Sequence, residues 1–156
     1  MTRILGIDPG TTETAYALIC LEKKEILSTN KSSNEHIRMH LPELVRRTEY
    51  IAIEMVANYG MCAGASLFHT CIAIGRFIEI INKSTEIEPM LIFRKSVVTE
   101  ICGRPTANDK NVRQAMIDYY GEQGRKATPG PTYGISNDMW AALAVATAYR
   151  EMLLRI

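Results

Sequence analysis

No two cysteines in this chain are spaced as a CxxC pair; Cys20, Cys62, Cys71 and Cys102 stand singly inside apolar segments. That pattern speaks against a zinc site or a disulfide framework and predicts four reduced, buried thiols in an intracellular, cytoplasmic protein. Charge of one sign is equally scarce, with 18 Lys and Arg against 17 Asp and Glu for a net +1. Total charge therefore neither demands nor excludes nucleic acid, and the local distribution has to decide. No clean apolar run has the length of a membrane span, because the richest stretch, 61–82, is interrupted by His69, Gly75, Arg76 and Glu79. The chain opens Met-Thr-Arg and enters an apolar run at once, so neither a signal peptide nor a membrane partner is expected. Internal repeats and low-complexity tracts are missing as well.

What is present suits one compact domain over 1–156, since 156 residues at 47% hydrophobic content can build a real core. The organising stretch is Ile4-Leu5-Gly6-Ile7-Asp8-Pro9-Gly10-Thr11-Thr12, an apolar strand that ends on a carboxylate and turns through Pro-Gly. Asp8 is thereby placed where a central strand surfaces. Taken alone, such an aspartate serves equally well as a turn residue bonding its own backbone.

Thr14–Cys20 and Glu25–Ser28, parted by Lys23-Lys24, read as two further strands of a meander, with a polar loop at 29–35. Ile37, Leu41, Leu44 and Val45 predict a helix over 36–48 despite Pro42. Tyr50–Met55 is a second buried strand that ends near Glu54. A long helix is predicted over 61–83, with Leu67, Cys71, Ile74, Ile78 and Ile81 on one stripe and Ala65, Phe68 and Ile72 beside it. That apolar surface is wider than the roughly 100° one core requires, so a partner is expected to cover the rest. Pro89–Phe93 predicts a fifth strand, 95–102 a short helix stopped by Gly103, and Asn108-Asp109 the cap of a helix to Tyr120. The Gly- and Pro-rich segment 121–136 reads as a long loop, and a last helix, capped by Ser136 or Asn137, carries Asp138 in its first turn.

Three acids thus stand at element ends: Asp8, Glu54 and Asp138. Hard oxygen ligands from separate elements are what Mg²⁺ or Mn²⁺ takes, and a carboxylate on an apolar strand must pair, hydrogen-bond or bind metal. The alternatives are a salt bridge for Glu54 and favourable charge at a helix N-terminus for Asp138.

Gly6-Ile7-Asp8-Pro9-Gly10, Ile51-Ala52-Ile53-Glu54, and Asp138 followed by Ala142-Leu143-Ala144-Val145-Ala146 resemble, in order and spacing, the RuvC family of Holliday junction resolvases. The first motif also looks like the phosphate loop of chaperone and sugar-kinase ATPases, but those have two lobes, for which this chain is too short. The stretch Lys126 to Ala146 is most similar to the bacteriophage branch of the resolvases. The resemblance implies an α/β, ribonuclease H-like fold with a five-stranded mixed sheet flanked by helices. It further implies a homodimer and metal-dependent cleavage of branched DNA, four-way junctions especially, leaving 5′-phosphate and 3′-hydroxyl ends. Asp8, Glu54 and Asp138 match the family's metal ligands, expected to hold two ions, Mg²⁺ or Mn²⁺. One departure stands out: where the family has a further acid three residues after Asp138, this chain has Ala141. A junction-binding protein without catalysis is the alternative that Ala141 raises.

Such chemistry needs no Cys, His or Ser nucleophile, and His36, His40 and His69 read as surface or core residues. DNA contacts must come from Lys and Arg. Residues 94–126 hold Arg94, Lys95, Arg104, Lys110, Arg113, Arg125 and Lys126 against four acids, which marks the expected DNA face over a merely solvated helix. Lys110 is placed nearest the scissile phosphate, because related resolvases carry basic residues before this helix. Phe68 is expected in the core and Tyr59 in a loop, with stacking on bases of an opened junction as the alternative.

Overall fold

The computed structural model describes residues 1–156. Strands β1 (Arg3–Asp8), β2 (Glu13–Cys20) and β3 (Ile26–Ser33) form the meander, α1 (Asn34–Arg46) follows, and β4 (Tyr50–Met55) returns through the sheet. Then come α2 (Ala65–Ser84), β5 (Met90–Phe93), α3 (Arg94–Cys102), α4 (Asp109–Tyr120), the two-residue strands β6 (Gly124–Arg125) and β7 (Thr128–Pro129), and α5 (Met139–Leu154). The main sheet is mixed and ordered β3-β2-β1-β4-β5, with β1 antiparallel to β2 and parallel to β4.

Alternation along the strands sorts side chains to two faces. Leu5, Ile7, Leu18, Ile51 and Ile53 meet Ile37, Leu41, Ala73, Ile74 and Phe77 in a layer built with α1 and α2. On the other face Ile4, Ala15, Ala17, Ala52 and Ile92 pack with Val97, Met116, Leu143 and the alanines of α5. Asp8 and Glu54 share the register of this second face, so α5 and the acids lie on one side of the sheet.

Local signals account for several element ends. Asn108 and Asn111 form a reciprocal capping box at the start of α4, and Gly103 ends α3 in the left-handed region at φ 78°. Of the expected loop at 29–35, residues 29–33 are instead the second half of β3 and Asn34 and Glu35 open α1, which Ser33 caps. β3 is an edge strand with one neighbour, so it needs no apolar run to be stable. The long helix begins at Ala65, and 121–136 contains the small β6-β7 hairpin.

Two burial expectations are corrected. All four cysteines are free, but only Cys20 is buried; Cys62 and Cys71 are exposed. Phe68, expected in the core, is 59% exposed. Phe68 and Cys71 share one cause: α2 buries Thr70, Ala73, Ile74, Phe77 and Ile81, which leaves the face bearing Phe68, Cys71 and Ile72 to solvent, while Cys62 lies in the segment before the helix. No helix is long and apolar enough to cross a membrane.

Candidate active site

Asp8 closes β1, and the turn after it is held by a buried network. Asn34 Nδ2 donates to the Gly10 carbonyl at 2.9 Å, and Thr14 Oγ1 donates to Asn34 Oδ1 at 2.6 Å. Gly10 is required there, because a Cβ would fall 2.2 Å from the Glu13 carbonyl oxygen. On the neighbouring parallel strand Ile7 is in register with Ile53, so the next residues, Asp8 and Glu54, emerge side by side. Glu54 is 8% exposed. Asp138 arrives from the opposite direction, as the residue that precedes α5; it occupies the N-cap position but makes no capping hydrogen bond.

These three acids line one cavity of about 920 Å³, together with Lys31, Arg94, Asp109, Lys110, Arg113, Trp140 and Ala141. Burial, a hydrogen bond shared with Glu54, and the negative charge of Glu54 and Asp138 push the Asp8 carboxyl up to about 9, against the pull of Arg94. Glu54 faces the Arg94 guanidinium at 3.7 Å, the salt bridge anticipated as its alternative role, and Arg94 also pairs with Asp109. Even so, Glu54 Oε1 is buried without a hydrogen-bond partner. Arg94 Nη1 is unpartnered too, so the guanidinium does not satisfy this oxygen, and two carboxyls side by side, one of them driven to protonate by burial, are hard oxygen donors that fit Mg²⁺ or Mn²⁺. Asp138 is differently placed: Lys31 Nζ donates to its Oδ2 at 2.9 Å, and no three His, Cys, Asp or Glu side chains gather closely enough to hold an ion together.

Of the expected DNA contacts, Arg94, Lys110 and Arg113 line the cavity. Arg113 lies 5.6 Å from the Trp140 ring and donates to Gln123 Oε1 at 3.0 Å. Lys95 stacks over Tyr59 at 5.5 Å, Arg104 bonds Asn111, and Arg125 and Lys126 are exposed on the β6-β7 hairpin. His36, His40 and His69 are all exposed. Lys31 was missed in the sequence because it lies in a polar stretch that reads as a loop. The signal that would have found it is the strand register, which no periodicity in 29–33 announces.

No protein-family model matches the sequence, and comparison with curated proteins finds no match. Among solved structures, Thermus thermophilus RuvC matches with a TM-score of 0.75 at 18% identity over 97% of this chain and 96% of that one. T. thermophilus RuvC in complex with a Holliday junction substrate matches with the same TM-score and coverage at 15% identity. The chain therefore has the RuvC-like form of the ribonuclease H fold, a five-stranded mixed sheet flanked by helices.

Proposed function

We infer that this chain is a divalent-cation-dependent endonuclease that hydrolyses phosphodiester bonds in branched DNA, four-way junctions above all, in the manner of the bacteriophage resolvases that its 126–146 stretch resembles. The observation that carries the reading is the pair Asp8 and Glu54, set side by side at adjacent strand ends on the floor of a cavity rimmed by Lys110 and Arg113. Asp8 and Glu54 would hold the cation, which supplies charge neutralisation at the phosphate and lowers the pKa of water. Lys110 and Arg113 bind the DNA backbone, Arg94 holds Glu54 in place, and Trp140 walls the cavity. In the net reaction a water oxygen bonds to phosphorus, the bond to the 3′ oxygen breaks, and a water proton ends on that oxygen. The products are a 5′-phosphate and a 3′-hydroxyl.

The protein acts as a homodimer. Phe68 and Ile72 on α2 are more than half exposed, and near them in sequence Tyr59 and Met61 are exposed too. A second copy covers this apolar surface, and a two-fold dimer matches a nearly symmetric junction.

A second reading, junction binding without cutting, is favoured by one observation: Asp138 is taken up by Lys31 while Ala141 offers no oxygen. Incubation with a synthetic four-way junction in Mg²⁺ separates the two. Paired nicks near the branch support the endonuclease; retarded but intact junction supports the binding protein.

A further inference from the structure

Lys31 lies in a cross-strand row with the candidate catalytic aspartate. Asp8 is paired with Ala15, and Ala15 with Lys31. Residues in such a row share a face of the sheet. With strands roughly 4.8 Å apart, the Lys31 backbone stands about 10 Å from that of Asp8, a gap a lysine side chain crosses over the methyl of Ala15. Ala15 is fully buried, so nothing bulky intervenes. The side chain of Lys31 is only 26% exposed, its ammonium is 2.9 Å from Asp138 Oδ2, and it lines the same cavity as Asp8 and Glu54.

The two ends of the site therefore differ. At one end Glu54 Oε1 faces the Arg94 guanidinium only at 3.7 Å, beyond hydrogen-bond reach, and has no hydrogen-bond partner. At the other the Asp138 carboxylate already has a cation, and the helix position one turn further on is Ala141, which has no oxygen to add. We propose that Lys31 stands in for a second divalent cation: the site takes one ion, on Asp8 and Glu54, and the Lys31 ammonium held by Asp138 is the other positive charge facing the phosphodiester. This rests on the endonuclease reading above and narrows the two-ion expectation drawn from the sequence.

Charge supports the arrangement. Asp8, Glu54, Asp109 and Asp138 are already offset by Lys31, Arg94, Lys110 and Arg113 in the same cavity, so a single divalent cation is enough to match one phosphodiester. A second divalent ion beside Lys31 would be repelled by the ammonium with no added carboxylate to offset it. Lysine suits the role because its ammonium is a compact point charge on a flexible stem.

The test counts bound Mn²⁺ by electron paramagnetic resonance, on the full chain alone and on the chain saturated with four-way junction. Samples are chilled so that cutting is slower than sampling, and ions held by junction alone are subtracted. The wild type, Lys31→Arg and Ala141→Asp are expected to bind one ion per protomer, and the double variant Lys31→Met with Ala141→Asp two. Lys31→Met alone should cut roughly 100-fold more slowly, the usual cost of deleting one fixed charge at a reacting oxyanion. Two ions in the wild type would overturn the inference and leave the endonuclease reading standing. No ion and no cutting would sink both. One ion in a double variant that melts like the wild type would also overturn it; if the double variant does not fold, the wild-type count decides.

Discussion

A methyl group on Gly6 would lie 2.7 Å from the Cβ of Ala146, and 2.5 Å from the Ala142 carbonyl oxygen, so α5 rests directly on the backbone of β1. Only glycine on the strand and small residues on the helix permit this approach. The contact is also what carries Asp138, at the helix start, into the cavity that Asp8 lines. Gly6→Ala should therefore destabilise the fold by about 1–3 kcal/mol, as overpacking does. Chemical denaturation measures it, and an unchanged midpoint would mean that the helix is not seated there.

Asp8→Asn and Glu54→Gln should each abolish junction cutting while leaving junction affinity within a few-fold of the wild type. On the proposed reading the carboxylates serve the cation, whereas affinity comes from Lys and Arg on phosphates. Gel retardation beside a cleavage assay separates the effects. Parallel loss of binding and cutting would assign the acids a structural role.

Phe68→Glu combined with Ile72→Glu puts charge on the uncovered face of α2, where neither side chain supports the core. The variant should melt near the wild-type temperature yet sediment as a monomer. A wild type that is itself monomeric at micromolar concentration would remove the dimer.

How much of this was legible in the sequence depends on what each element needs from its neighbours. The Ile4–Asp8 and Tyr50–Met55 runs announced buried strands, because a strand covered on both faces must be apolar throughout. The Asn108 cap and the Gly103 stop were readable for the same local reason. Edge strand β3 was half hidden, since Thr29–Ser33 is polar and takes its strand geometry from pairing with β2. With it went Lys31, and hence the partner of Asp138. The exposed side of α2 was visible as excess apolar width, but which stripe faced the core was not: Phe68 and Phe77 are both apolar helix positions, and only packing against β1, β4 and α1 separates them.

Alkaline stability offers a check on the opposite end of the molecule. Arg150, 6% exposed, donates to the Leu21 carbonyl at 2.9 Å and to the Tyr119 hydroxyl at 2.6 Å, and Tyr119 in turn donates to Glu151. Burial, then the bond to Glu151, pushes the Tyr119 phenol up to about 12. The unfolded phenol ionises near pH 10. Its contribution is therefore complete below about pH 10 and is lost as the pH rises toward 12, because the unfolded chain sheds the proton first. Melting temperature should fall over that window, and less steeply in Tyr119→Phe. Burial also raises Tyr120, so part of the decline should persist.

The most direct measurement of the central claim is end analysis of a synthetic four-way junction incubated with the wild type in Mg²⁺, beside linear duplex of the same sequence and beside Asp8→Asn. Paired nicks are expected at the branch, and DNA ligase should reseal them without prior treatment, as 5′-phosphate and 3′-hydroxyl ends require. Linear duplex and the Asp8→Asn reaction should stay intact. A junction bound tightly but uncut across Mg²⁺ and Mn²⁺ titrations, or cut equally by Asp8→Asn, would contradict that claim.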